Sequence, residues 1–84
     1  MEYNVAAQVK IYLDEPSSMA KVKSGIEKMV KVQRFSEEDV GFGIKVLKAT
    51  LLLMDSEGAM DKLEAQIRSV EGVSEIEVEE VGRM

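Results

Sequence analysis

What chemistry this chain can do is bounded first by two missing residue types: its 84 residues include no cysteine and no histidine. Disulfides, iron–sulfur clusters and thiolate zinc sites are excluded. Acid–base or transition-metal work would have to rest on carboxylates, lysines or the two tyrosines, which argues against an enzyme and against a bound metal or cofactor. The stretch with the most unusual setting is Gly41-Phe42-Gly43-Ile44-Lys45. Flanking glycines leave backbone open and give an aromatic ring little local packing, so Phe42 is expected to be displayed rather than buried. Lys45 shares the parity of Leu47, Ala49, Leu51 and Leu53, which places it on one sheet face near an open end.

Charge narrows the partners. The formal net charge is -5, but its distribution is uneven: residues 17–34 carry Lys21, Lys23, Lys28, Lys31 and Arg34 against Glu27 alone, while residues 71–80 are acidic without a base. Nonspecific grip on nucleic acid needs clustered bases, and the overall field here repels anions. No segment approaches the roughly 20 apolar residues of a membrane span. The opening run Met1-Glu2-Tyr3-Asn4-Val5 lacks the basic-then-apolar pattern of a secretory signal, and the missing cysteines fit a reducing, cytoplasmic setting.

The elements that must position Phe42 and Lys45 are legible from periodicity. Residues 3–13 alternate, with Val5, Ala7, Val9, Ile11 and Leu13 on one face, as in a half-buried strand. Asp14-Glu15-Pro16-Ser17-Ser18 breaks that pattern, and Ser17 or Ser18 is placed to cap a helix beginning near Met19. Met19, Val22, Ile26, Met29 and Val30 follow helical spacing with lysines on the wet side, and Gly25 is read as allowing close approach to the sheet. Residues 32–37 are expected to form a short edge strand, with Glu37-Glu38-Asp39 a solvated run at the tip of the next hairpin. Residues 40–53 read as a long strand entered through the glycine turn, its three leucines implying neighbours on both sides. After a turn at Asp55-Ser56-Glu57-Gly58, helical spacing of Met60, Leu63, Ile67 and Val70 predicts a helix over 59–71, stopped by Gly72. Residues 73–81 alternate again, Ile76 and Val78 inward and Glu75, Glu77 and Glu79 outward, before a tail of Gly82, Arg83 and Met84.

Strand, helix, strand, strand, helix, strand in one domain over residues 1–84 is the α+β ferredoxin-like βαββαβ arrangement. It predicts a four-stranded antiparallel sheet in the order 4-1-3-2 with two helices on one face. Fold does not name function, and the known uses of this one make different demands. A metal carrier needs a cysteine pair. An RNA-recognition domain needs aromatic platforms on its central strands, but Val40 stands where a base is wanted, Ile44 where a second ring is wanted, and the first strand offers only Tyr12. An acylphosphatase needs a placed arginine and asparagine, and Asn4 is the only asparagine. A non-catalytic regulatory or RNA-binding module of this fold remains the alternative from residues alone.

Several runs in order resemble one family. Gly41-Phe42-Gly43-Ile44-Lys45-Val46-Leu47, then Asp61-Lys62-Leu63-Glu64-Ala65-Gln66-Ile67, then Val70-Glu71-Gly72-Val73 and a tail with a penultimate base, are similar to archaeal elongation factor 1-beta across the whole chain. The resemblance implies a guanine nucleotide exchange factor for elongation factor 1-alpha, the GTPase that delivers aminoacyl-tRNA to the ribosome. It implies that the residue matching Phe42 docks in an apolar pocket on the GTPase's second domain. The base matching Arg83 would reach toward the magnesium site of the nucleotide domain. Gly41, Phe42, Gly43, Lys45, Arg83 and Met84 are thus the expected contacts with GDP-bound elongation factor 1-alpha. No cofactor, catalytic residue, direct nucleic-acid contact or membrane partner is expected, and the chain is read as a monomer. Asp39 stands near a position where the family commonly carries proline, and Arg83 replaces the eukaryotic lysine.

Overall fold

A computed structural model describes residues 3–54 and 56–83. Along the chain run β1 (Val5–Leu13), a 3-10 turn (Pro16–Ser18), α1 (Met19–Met29), β2 (Lys31–Gly41), β3 (Ile44–Leu53), α2 (Ala59–Arg68) and β4 (Val73–Arg83). The four strands form one antiparallel sheet in the order β2-β3-β1-β4, the expected 4-1-3-2 read from the other edge. This is the ferredoxin-like βαββαβ fold. Asp55 of the expected turn and Met84 lie outside the described residues. Among the described residues, no helix is long and apolar enough to cross a membrane.

The central strand explains the core. Val5, Ala7, Val9 and Ile11 are buried and meet Leu53, Leu51, Ala49 and Leu47 across β3. On the other side they meet Arg83, Val81, Val78 and Ile76 of β4. Val22 and Ile26 of α1 and Leu63 and Ile67 of α2 close over this face. Each such aliphatic chain contributes about 1.5–3 kcal/mol when removed from water, so period-2 and period-3.6 patterns that meet on one face suffice to select the fold.

Several boundaries differ from the sequence reading, each for a physical reason. β2 runs to Gly41, so Glu37, Glu38 and Asp39 lie in the strand, opposite Leu47, Val46 and Lys45, and not at the hairpin tip. β3 accordingly starts at Ile44, since Phe42 and Gly43 make the turn. α2 stops at Arg68, and Gly72, with φ 101°, turns the chain into β4. β4 continues through Gly82 and Arg83, because Val5 and Ala6 of β1 still offer partners there. Ser18 occupies the N-cap position of α1 without a side-chain hydrogen bond to the helix. Met29, placed in the core stripe by its spacing, is 45% exposed at the helix end.

Gly25 is tight against a different neighbour than expected. A Cβ built there would sit 2.8 Å from Cγ1 of Val70, a buried residue beyond the end of α2, so the glycine lets α1 approach the segment that links α2 to β4 and not the sheet. The opposite sheet face is mainly polar, with Val46 buried within it. Lys10 and Lys48 stand directly across from each other, and Glu38 and Glu79 flank both at 3.4–4.0 Å. The hydrogen bond from Lys48 to Glu79 and the charge of that carboxylate, then Glu38, raise the Lys48 pKa above 10.5. Glu75 is lowered below 4.5 by the Ile76 N–H donating to its Oε1 at 2.9 Å, then by Arg68 at 3.3 Å.

Two outcomes are expected. Gly25→Ala gains about 1 kcal/mol of helix propensity, but overpacking of a stiff branched side chain costs about 1–3 kcal/mol, so the net change is a lower urea midpoint. A raised midpoint would show that α1 and Val70 move apart freely. For Lys48, a raised folded-state pKa means stabilisation that is complete below its ordinary value of 10.5 and is lost as pH rises through the raised value. Lys48→Met is expected to flatten the alkaline fall of the urea midpoint; an unchanged alkaline limb would show that the network adds nothing to stability.

Candidate functional interface at the two ends of the sheet

The hairpin between β2 and β3 is built from backbone conformation. Gly41 pairs with Ile44, leaving Phe42 and Gly43 as a two-residue loop with φ 57° and 74°. Positive φ at both central residues is the type I′ geometry, whose twist matches that of the flanking strands. Nothing lies within 4 Å of where a Cβ would stand on Gly41 or Gly43. Gly41 and Gly43 are therefore suited to their places by conformation, φ 100° and 74°, and not by crowding. Phe42 is the one non-glycine residue with positive φ among those described, at a cost of about 1–2 kcal/mol for an L residue. Its ring is fully exposed, at 102% of the reference area. The expectation that Phe42 is displayed matches this geometry.

Two neighbours enlarge the tip beyond what the sequence reading singled out. Val40 is 47% and Ile44 52% exposed, so three apolar side chains stand together at the end of the hairpin. Asp39 Oδ1 accepts the Gly41 N–H at 2.8 Å. The sequence reading put Val40 at the start of the long strand entered through the glycine turn; the structure puts it in β2, just before the loop. Lys45 does keep the parity of Leu47, but it lies toward the helix-covered side, with Nζ 3.9 Å from Glu37 Oε1. Glu37 also holds Lys23 of α1 at 3.3 Å, and Lys23 sits 5.9 Å above the Phe35 ring. Lys45 is thus set back from the tip.

Arg83 lies at the other end. It pairs with Val5, where β1 begins, whereas the hairpin extends past the end of β1 that pairs with Leu47. The ten residues of β3, which run from the tip at Ile44 to Leu53 beside Val5, put the two ends on the order of 30 Å apart at 3.3 Å per residue, in a molecule whose longest extent is 38 Å. Arg83 lines a cleft of about 350 Å³ with Val5, Leu53, Met54, Met60 and Asp61. Met29, Met54 and Val81, each close to half exposed, belong to this end. The structure therefore separates Phe42 from Arg83 and does not gather the expected residues into one pocket. An apolar tip and a distant guanidinium suit contact with a large surface.

The comparisons with known proteins follow this geometry. Residues 5–84 match the model of the EF-1 guanine nucleotide exchange domain. A protein from Aeropyrum pernix, Elongation factor 1-beta, is 37% identical over 86 aligned positions, covering 95% of this chain and 96% of that protein. The protein of the same name from Thermoplasma acidophilum is 43% identical over 60 residues, covering 71% of this chain and 68% of its own length. Among solved structures, the ACT domain from GTP pyrophosphokinase of Chlorobium tepidum aligns with a TM-score of 0.64 at 17% identity, covering 90% of this chain and 99% of that one. The C-terminal domain of the MgtC protein from Mycobacterium tuberculosis aligns at 0.65 and 17% identity, covering 100% and 92%. At that identity the two structures speak for the fold alone, whereas the family match extends through both β4 and the hairpin: the chain belongs to the EF-1 guanine nucleotide exchange domain family.

Proposed function

We propose that this chain promotes release of GDP from elongation factor 1-alpha by docking the Phe42 tip on one domain of the GTPase while Arg83 acts at the magnesium and phosphate site of another. One observation carries the reading: the large apolar side chains left exposed cluster at the two ends of the sheet, Val40, Phe42 and Ile44 at one and Met29, Met54 and Val81 near Arg83 at the other. A single domain spanning on the order of 30 Å can touch two domains of a partner at once. Phe42 adds nothing to the core and sits in a costly backbone conformation, so its presence is explained by a contact outside the chain.

The step needs no covalent chemistry. GDP is held largely through its phosphates and their magnesium ion, and a guanidinium brought to that site competes with the metal's charge and weakens its hold. Phe42 supplies docking energy remote from the nucleotide, as a desolvated aromatic anchor does. Gly41 and Gly43 shape the tip, Lys45 stands behind it, and Met84 would follow Arg83 into the same contact. The polar sheet face, carrying Tyr12 as its one described aromatic with Oη donating to Glu77, does not offer the stacking platform that RNA binding would use. The reading includes a monomer working in the cytoplasm.

The test is release of fluorescent GDP from elongation factor 1-alpha with the chain present in substoichiometric amount; acceleration with turnover is expected, and unchanged release would overturn the proposal. Loss of an anchor worth about 2 kcal/mol predicts that Phe42→Ala raises the concentration for half-maximal acceleration roughly 30-fold. Arg83→Ala is expected to lower the maximal rate with binding retained, and an unaltered maximal rate would remove Arg83 from the mechanism. Phe42→Gly relieves the αL penalty and should raise the unfolding free energy from urea titration by about 1 kcal/mol while docking is lost. A stability loss there would mean that the ring supports the fold.

A further inference from the structure

We infer that Asp39 is a positioning residue for Phe42: its carboxylate, by accepting the Gly41 N–H at 2.8 Å, holds the hairpin tip in the conformation that presents the ring. The inference rests on the docking reading above. The register of β2 against β3 shifts between Asp39 and Gly41, with Val40 as the extra residue, so the ladder is irregular immediately before the loop. Gly41, Phe42 and Gly43 then follow one another at positive φ. No packing holds these three in place, since the ring is fully exposed and the two glycines have nothing within 4 Å of a Cβ position. The Asp39 side chain bridges the irregular point, tying the backbone on one side of Val40 to that on the other. Lys45, the cross-strand partner of Asp39, has its ammonium near Glu37, so the fastening of the tip is to a backbone N–H.

An L residue held at positive φ leaves that basin readily when its neighbours loosen. Once the tip samples other conformations, apparent affinity falls by the fraction still competent to dock. A lost hydrogen bond of ordinary net strength makes that about a fivefold loss.

The experiment measures GDP release from elongation factor 1-alpha against concentration of the full chain for Asp39→Ala, Asp39→Asn, Phe42→Ala and the Asp39→Ala/Phe42→Ala double variant. Asp39→Ala is expected to raise the half-maximal concentration about fivefold with the maximal rate unchanged. Asp39→Asn, which keeps an acceptor oxygen without the charge, should stay within about twofold of the parent. The double variant should match Phe42→Ala, because a residue acting only through the ring adds nothing once the ring is gone. An unaffected Asp39→Ala, an Asp39→Asn as weak as the alanine variant, or additive losses in the double variant would overturn the inference. Backbone relaxation of Phe42 and Gly43 by NMR on the free chain separates this from failure of the docking reading. Order lost in Asp39→Ala and kept in Asp39→Asn supports the positioning role, and equal order in both overturns it. A Phe42→Ala variant that exchanges normally would overturn docking through the ring itself.

Discussion

The constraint on which the rest depends is the double pairing of β1. As an inner strand it carries a ladder on each edge, to β3 and to β4, and buries Val5, Ala7, Val9 and Ile11 on one face. A slip of one residue on either edge would turn an apolar set to water, so the register is strongly specified. That register also places the ends of the neighbours. The hairpin after β2 must emerge beyond one end of β1, and the last residues of β4 must lie beside Val5 at the other. The distance between Phe42 and Arg83 is thus a consequence of strand length and pairing.

Core packing and the residues displayed at the two ends of the sheet are separate sets. The core lies under the helices and includes neither Phe42 nor Arg83. Phe42 is exposed in a backbone conformation that favours glycine, a local conflict that the flanking ladder tolerates. The polar sheet face shows the opposite economy: two lysines directly opposed would repel, but two glutamates from the edge strands surround them and turn the pair into a network across all four strands. Both edge strands carry register irregularities, at Val40 on β2 and at Glu79 facing β1, which suits edges that must not pair with other chains. Glycines serve two ends in the same molecule. Gly25 is required by the approach of Val70, and Gly41 and Gly43 by their φ angles.

The order and type of the six main elements were readable, because five have a clear period and meet a core on one side, and the weakly patterned β2 is placed by lying between a helix and the glycine turn. The display of Phe42 was readable as well, from flanking glycines that leave nothing for a ring to pack against. Boundaries were less so. Glu37, Glu38 and Asp39 look like a turn by composition, but on a solvated edge strand charged residues satisfy the ladder with their backbone and water with their side chains. Arg83 looked like a tail because no apolar alternation continues past Val81, yet a neighbour's open backbone groups extend a strand regardless of side chain.

By itself, then, the sequence determined the strand and helix order, the buried faces, the absence of thiol and imidazole chemistry and the presence of a displayed aromatic, since all of these depend on residue type and short-range spacing. Only the tertiary structure decided that Val40 and Ile44 join Phe42, that Asp39 accepts the Gly41 N–H, that Gly25 answers to Val70, and that Arg83 ends a paired strand at the far end of the sheet. Those facts depend on register, bulges and the approach of segments distant in sequence, which no local pattern encodes.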